Sequence, residues 1–230
     1  MAPRGGGKPA SFFILRSHGT CVRDTEPTML QDMPILTPLQ RARRSFALET
    51  ERLTLRSPTH ADVRDITALA NDRRIAEMTR CLPHPYTPDD AVQFVEAAAG
   101  DSRQMVFLVE YNHVPVGVAG VDWRKPDAPE LGYWFGVDHW GRGFATETVR
   151  AVIDYAFEEY DVDRMVSGTR VINPASRNVL EKCGFQWTGV ELHRIRALGS
   201  STPVDRFRLS RGVWSSLKRW NSAARREPCI

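Results

Sequence analysis

The stretch Glu130-Leu131-Gly132-Tyr133-Trp134-Phe135-Gly136-Val137-Asp138-His139-Trp140-Gly141-Arg142-Gly143-Phe144-Ala145-Thr146-Glu147-Thr148 decides how this chain folds. Residues 131–137 read as a strand, because Tyr133, Trp134, Phe135 and Val137 are aromatic or β-branched and suit a pleated, half-buried surface. Residues 138–143 read as a turn with two glycines one residue apart. A helix then opens, with Ala145, Val149, Val152, Ile153, Ala156 and Phe157 on one face at helical spacing. Strand, glycine turn and helix N-terminus together build an anion site. Unpaired N–H groups leave the first helical turn, and the helix dipole adds about half a positive charge there. Glycine lets a phosphate approach the backbone, and Arg142 inside the turn is a candidate charge-assisted donor. A P-loop would need Lys-Ser/Thr after Gly143, which Phe144 denies. A dinucleotide fingerprint would need Gly or Ala at Thr146. A tight connection with no ligand is the plain alternative.

Upstream, residues 52–56 alternate polar and apolar as a strand, and Thr59 caps a helix carrying Val63, Ile66, Leu69 and Ala70, with Asp62 in the capping-box position. The turn-rich segment ending Leu82-Pro83-His84-Pro85-Tyr86 leads to Thr87-Pro88, an N-cap followed by proline at the first helical position. Residues 104–111 and 114–121 read as strands joined by Asn112-His113, a hairpin without the usual glycine. Gly117 and Gly120 within the second strand point to close backbone approach or a bulge. Downstream, 164–172 reads as a strand that stops at Asn173-Pro174, an N-cap with proline behind it. A helix follows over 174–182, and Gly184 is its left-handed C-terminal residue with Phe185 folding back. Strands at 185–192 and 204–210 and a short helix at 211–220 complete the pattern.

Trp140-Gly141-Arg142-Gly143-Phe144-Ala145 resembles the acetyl-CoA pyrophosphate loop of the GNAT superfamily of N-acetyltransferases, Gln/Arg-x-x-Gly-x-Gly/Ala. Gly143 and Ala145 match, and Trp140 replaces the leading Gln or Arg. Asn173-Pro174-Ala175-Ser176, continuing to Leu180-Glu181-Lys182-Cys183-Gly184-Phe185, resembles the second signature of that superfamily. The variant His139-Trp140-Gly141-Arg142-Gly143-Phe144-Ala145-Thr146-Glu147 looks like the RimJ/RimL-like branch, and Thr50-Glu51-Arg52-Leu53-Thr54-Leu55-Arg56 resembles the start of such domains. The resemblance covers about residues 48–218. It implies an α/β acyl-CoA N-acyltransferase fold: a mixed, mainly antiparallel sheet flanked by helices, with two neighbouring strands splayed to admit pantetheine.

The resemblance also implies roles for individual residues. Phe135 and Val137 would offer main-chain groups to pantetheine, and one backbone N–H near them would serve as oxyanion donor. Gly141, Arg142, Gly143, Ala145 and Thr146 would cradle the pyrophosphate of acetyl-CoA, the co-substrate. Asn173 would hold the pantetheine arm, cap its helix, or do both, because the cap uses the side-chain oxygen and leaves the NH₂. Glu130 is the candidate base, directly or through water, or else a surface carboxylate at a strand end. Ser176 is the candidate proton donor to the CoA sulfur, or else a helix-start hydrogen-bonding group. The tyrosine acid of many family members is absent, since Leu180 stands at its place. His84, Tyr86 and Tyr133 are the candidate acceptor-substrate contacts, with ordinary loop roles as the alternative for the first two.

The acceptor would be an amine. An α-amino group titrates near 7.7–8.0 and lysine near 10.4, a difference of roughly 3.5 kcal/mol in deprotonation. A weak base therefore favours a protein N-terminus; a small amine, or a non-catalytic acyl-CoA-binding domain, is the alternative. Cys183 shares a helix face with Val179 and Leu180, which predicts a core residue. Cys81 lacks an evident activating base, so direct transfer in a ternary complex is expected.

Composition supports this frame. The chain has 230 residues, 42% hydrophobic and 26% charged, with a formal net charge of +3 and a pI near 8.8. That suits an anionic cofactor and falls short of a nucleic-acid footprint. Four scattered cysteines, Cys21, Cys81, Cys183 and Cys229, show no metal or disulfide spacing, so no metal is expected and a reducing cytoplasm is the simplest setting. No apolar run reaches the ~20 residues of a membrane span. Residues 1–45, with Gly5-Gly6-Gly7 and a basic cluster at Arg41, Arg43 and Arg44, read as a disordered or loosely docked leader, 46–218 as one domain, and 219–230 as a tail. A monomer and a homodimer are equally compatible with the sequence.

Overall fold

The structure, a computed structural model, describes residues 47–101 and 103–224. The expected leader and the last residues of the expected tail lie outside them. Among the described residues, eight strands form one sheet: β1 (Ala47–Glu49), β2 (Leu53–Arg56), β3 (Gln104–Tyr111), β4 (Val114–Asp122), β5 (Glu130–Phe135), β6 (Arg164–Arg170), β7 (Gln186–Ile195) and β8 (Ser200–Ser210), in the order β1-β2-β3-β4-β5-β6-β8-β7. Every pairing is antiparallel except β5 with β6. Six helices accompany the sheet: α1 (Val63–Ala70), α2 (Arg73–Ala76), α3 (Pro88–Gly100), α4 (Phe144–Glu159), α5 (Pro174–Lys182) and α6 (Arg211–Ala224).

Strand alternation divides the interior into two cores. Phe107 and Val109 of β3 face one side with Val149, Val152, Ile153, Ala156 and Phe157 of α4. Val106 and Leu108, one residue out of phase, face the other side with Ile66 and Ala70 of α1 and Phe94 and Val95 of α3. α4 thus fills one face behind β5, and α1 and α3 fill the opposite face.

The expected caps are present. Asp62 accepts from the Thr59 N–H at 2.7 Å. Thr87 and Asp90 bond reciprocally at the start of α3, with Pro88 at its first position. At the end of α5, Gly184 has φ +90°. Its N–H donates to the Glu181 carbonyl and that of Phe185 to the Leu180 carbonyl, a Schellman closure that buries Phe185. The β3–β4 hairpin turns through Asn112 (φ 51°) and His113 (φ 61°). Two consecutive left-handed residues make the turn that glycine usually supplies, and Asn and His are among the residues that tolerate this region.

Several boundaries differ from expectation. β1 is an additional edge strand. β5 ends at Phe135, and Val137 enters a 3₁₀ turn (Val137–His139). β6 stops at Arg170, because the Asn173 N–H turns back to the Arg170 carbonyl and leaves Val171 and Ile172 exposed. The last hairpin is longer, closing through Arg196–Leu198 and Gly199 at φ 63°. α6 runs on to Ala224, four residues beyond the expected end.

Gly120 and Gly117 are close-approach positions. A β-carbon on Gly120 would lie 2.3 Å from the Met105 carbonyl oxygen, and one on Gly117 would lie 2.5 Å from that of Trp134. Both obstacles are backbone of a neighbouring strand. Gly120→Ala is therefore expected to cost about 1–3 kcal/mol. Urea unfolding should show a lower midpoint at unchanged slope; an unchanged midpoint would refute the close approach.

Candidate active site

β5 and β6 are paired only where Glu130 meets Val166 and Leu131 meets Ser167. Past that point the strands part. The Gly136 N–H donates to the Val116 carbonyl on the β4 side, so by alternation the main-chain groups of Tyr133 and Phe135 face the opening. A cavity of about 740 Å³ fills it, the size of a site for an extended small ligand.

One end of the cavity is the glycine turn. Gly141 (φ 73°) and Gly143 (φ 80°) are both left-handed. α4 begins directly after them, and Ala145 and Thr146 of its first turn line the cavity. A β-carbon on Gly141 would meet nothing within 4 Å. Open space over Gly141, beside a second left-handed glycine at the N-terminus of a sixteen-residue helix, can hold a diphosphate. The turn is anchored at two points. The Trp140 indole N–H donates to the Phe135 carbonyl at 2.8 Å, so the residue that departs from the family pattern ties the turn to the end of β5. Arg52 pairs with Glu147 at 2.7 Å and donates to the Arg142 carbonyl at 3.1 Å.

Two cradle expectations need correction. The Arg142 guanidinium stacks over the rings of Tyr111 (4.8 Å) and Phe144 (4.6 Å), and the residue is not part of the cavity lining. Aromatic faces at the end of β3 and the start of α4 draw it away from the turn's open side. Val137 lies beyond the strand, outside the lining, and packs against the core under α1. Phe135 keeps its place, but its carbonyl already accepts from Trp140, which leaves its N–H for a ligand.

The middle of the cavity holds Tyr133, Asn173 and Ser176. Asn173 Oδ1 accepts from the Ser176 N–H at 3.1 Å, the expected cap. The Tyr133 hydroxyl lies 2.9 Å from Ser176 Oγ and 3.2 Å from the Ser176 carbonyl. Burial pushes the Tyr133 hydroxyl above its ordinary pKa, so it stays protonated. With the phenol donating to Ser176 Oγ, the serine hydroxyl hydrogen is available to a ligand. Leu180 is fully buried beneath, as the core residue its type suggests.

The far end is a polar cluster that sequence reading missed. Glu130 sits between Arg206 (2.7 Å) and Arg80 (3.1 Å). Burial pushes its carboxyl up, and the two guanidiniums outweigh that and hold it below the usual glutamate range. Arg80 also lies 3.2 Å from His193 Nδ1. Guanidinium only donates, so Nδ1 is the acceptor and Nε2–H donates to Glu191 at 2.8 Å. Burial holds the His193 imidazole below its ordinary value, against the pull of Glu191. Gly168 completes the cluster: a β-carbon there would meet Arg206 Nη1 at 2.6 Å. Cys81 lines the same end, and burial pushes its thiol up.

The expected acceptor contacts separate. Tyr133 lines the cavity; His84 and Tyr86 do not. Tyr86 is 4% exposed in the core with Ile66 and Phe94, and its N–H is held by Asn71 Oδ1 at 3.0 Å. His84 is exposed on the connecting loop.

A family profile described as Acetyltransferase (GNAT) domain matches residues 52–186. Among curated proteins, the chain is 27% identical over 168 residues to the Uncharacterized N-acetyltransferase p20 of Bacillus licheniformis, a match covering 70% of this chain and 94% of that protein. Among solved structures, it resembles RimL, the ribosomal L7/L12 alpha-N-protein acetyltransferase in complex with coenzyme A (TM-score 0.65, 18% identity, 72% of this chain and 98% of the other). It also resembles spermidine N-acetyltransferase from Vibrio cholerae in complex with CoA and spermine (TM-score 0.62, 23% identity, 71% and 98%). At these identities the two structures speak for the fold alone.

Proposed function

We propose that this chain, which belongs to the GNAT acetyltransferase family, moves an acetyl group from acetyl-CoA to a polypeptide N-terminal α-amine by direct attack in a ternary complex. Acetyl-CoA supplies an activated thioester and a thiolate leaving group. Gly141, Gly143, Ala145 and Thr146 hold its diphosphate, and the Asn173 amide and the open edge of β5 hold its arm. The Phe135 N–H faces the opening as oxyanion donor. Ser176 Oγ, oriented by Tyr133, gives a proton to the departing sulfur.

The observation that carries the acceptor assignment is the engagement of Glu130 and His193 at the far end. Glu130 is clamped by two guanidiniums, and His193 Nδ1 accepts from one of them. We therefore assign Glu130 to holding Arg80 and Arg206 in place, and the amine proton leaves to water. An amine must then arrive with an appreciable neutral fraction. At neutral pH an α-amine has roughly 250–500 times more of it than lysine. The guanidiniums also disfavour an ammonium beside them and repel a polycation. The fold is similar to RimL and to spermidine acetyltransferase alike, and this charge favours an acceptor of the first kind.

Transfer through a cysteine is disfavoured. Burial pushes the Cys183 thiol up to about 11 and raises that of Cys81 as well, and the thiolate is the nucleophile. Free thiols at Cys81 and Cys183 suit a reducing cytoplasm.

The test is CoA release at neutral pH with an N-terminal peptide, the same peptide N-blocked with one lysine, and spermidine. The expected result is kcat/KM at least about 100-fold higher for the free α-amine, following the neutral-amine fractions. Equal turnover of the blocked lysine peptide or of spermidine would overturn the assignment.

A further inference from the structure

We propose that the preferred polypeptide acceptor carries an acidic side chain within its first residues, and that Arg170 seats this carboxylate beside Arg80 and Arg206. The inference rests on the α-amine reading above and narrows it.

Three guanidiniums line the acceptor end: Arg80, Arg170 and Arg206. One half-buried carboxylate, Glu130, serves the first and third. Glu191 adds a contact to Arg206 at 3.5 Å, from a side chain 60% exposed. Arg170 closes β6, and its Nη1 donates to the Glu77 carbonyl at 2.9 Å. Its Nε is buried with no hydrogen-bond partner, and no carboxylate comes within ion-pair distance of it among the described residues. Its neighbour Thr169 is 4% exposed, with a hydroxyl oxygen that is also buried and unpartnered. The other charges near this wall are already matched. Arg74 pairs with Asp72 at 2.7 Å, and Glu77 pairs with Arg73 at 2.5 Å.

The acceptor end therefore carries surplus positive charge, with the Arg170 guanidinium unmatched by any carboxylate among the described residues, in a cavity that must also admit an amine. A lone ammonium would be repelled. An acidic segment resolves this: its carboxylate pairs with the Arg170 guanidinium in a charge-assisted contact and offsets the repulsion that a lone amine meets there. The carboxylate has two possible sources, an acidic side chain near a polypeptide N-terminus and the α-carboxylate of a free amino acid. The polypeptide source follows from the α-amine reading on which this inference rests.

The experiment compares kcat/KM for peptides identical except at positions two and three, which are Asp-Asp, Asn-Asn or Lys-Lys, together with free aspartate, using the full chain. Arg170→Gln and Arg170→Lys are run alongside, with acetyl-CoA affinity by calorimetry as the check that each variant is folded. The expected result is a preference of about tenfold for Asp-Asp over Asn-Asn, the worth of one charged hydrogen-bonded contact. Lys-Lys should be poorer still. The ratio should collapse to near one in Arg170→Gln and be partly kept in Arg170→Lys. Equal rates on the Asp-Asp and Asn-Asn peptides would overturn this inference and leave the α-amine reading standing. An Asp-Asp preference that survives in Arg170→Gln would overturn the seat. Free aspartate outpacing every peptide would overturn the polypeptide source. Acetylation of the lysine side chains in preference to the N-terminus, or no turnover of any peptide, would overturn both readings.

Discussion

Gly143→Glu is expected to abolish acetyl-CoA binding. Gly143 has φ 80°, where any side chain is strained by about 1–2 kcal/mol. Its β-carbon would lie 3.3 Å from Arg52 Nη2. A glutamate there has two orientations, and both damage the site. Turned to the cavity, its carboxylate opposes the diphosphate at the helix N-terminus. Turned to Arg52, it competes with Glu147 for the ion pair that fixes the start of α4. Calorimetric titration should show at least a hundredfold loss, about 2.7 kcal/mol. Gly143→Ala separates strain from charge and should lose much less. Affinity of the glutamate variant within about threefold of the parent, roughly 0.7 kcal/mol, would remove the diphosphate from this turn.

Ser176→Ala should lower kcat by about 100-fold or more with little change in the acetyl-CoA KM, because a proton donor to the leaving group acts chiefly in the transition state. Tyr133→Phe should produce a smaller fall of the same kind, since the phenol positions the serine through the 2.9 Å contact and does not itself meet the sulfur. Steady-state kinetics on both variants decides the matter. A Ser176→Ala enzyme with parental kcat would return that serine to a helix-start role.

The parts of this site that were legible in the sequence are the ones built locally. The aromatic run of β5, the Gly141/Gly143 pair and the start of α4 are contiguous, and each has a short-range physical reason. The same holds for Asn173-Pro174 and for Gly184-Phe185, where cap chemistry alone fixes the helix ends. Val137 was misplaced by two residues because β-branching does not say where a strand gives way to a 3₁₀ turn. The Arg142 side chain read as a donor because its position in the turn was visible, whereas the rings it stacks on belong partly to Tyr111, thirty-one residues earlier.

The polar far end of the cavity was invisible for a related reason. Arg80 and Glu130 are 50 residues apart, Glu130 and Arg206 are 76 apart, and Arg80 and His193 are 113 apart. No spacing rule joins four segments that meet only once β5, β6, β7 and β8 are in register. Glu130 illustrates the consequence. At a strand end it reads as a base, and the two guanidiniums that support the anchoring role proposed for it come from segments far away in the chain. Tyr86 errs the other way: a loop tyrosine before a helix cap looks available, but Asn71 and the α1–α3 core hold it inside.

The most direct measurement of the central claim is first-turnover thiol release from acetyl-CoA with stoichiometric enzyme, with and without an N-terminal peptide. Direct transfer in a ternary complex predicts no release without the peptide and one CoA per acetylated α-amine with it. A burst equal to the enzyme concentration in the absence of peptide, or no release in its presence, would contradict the account.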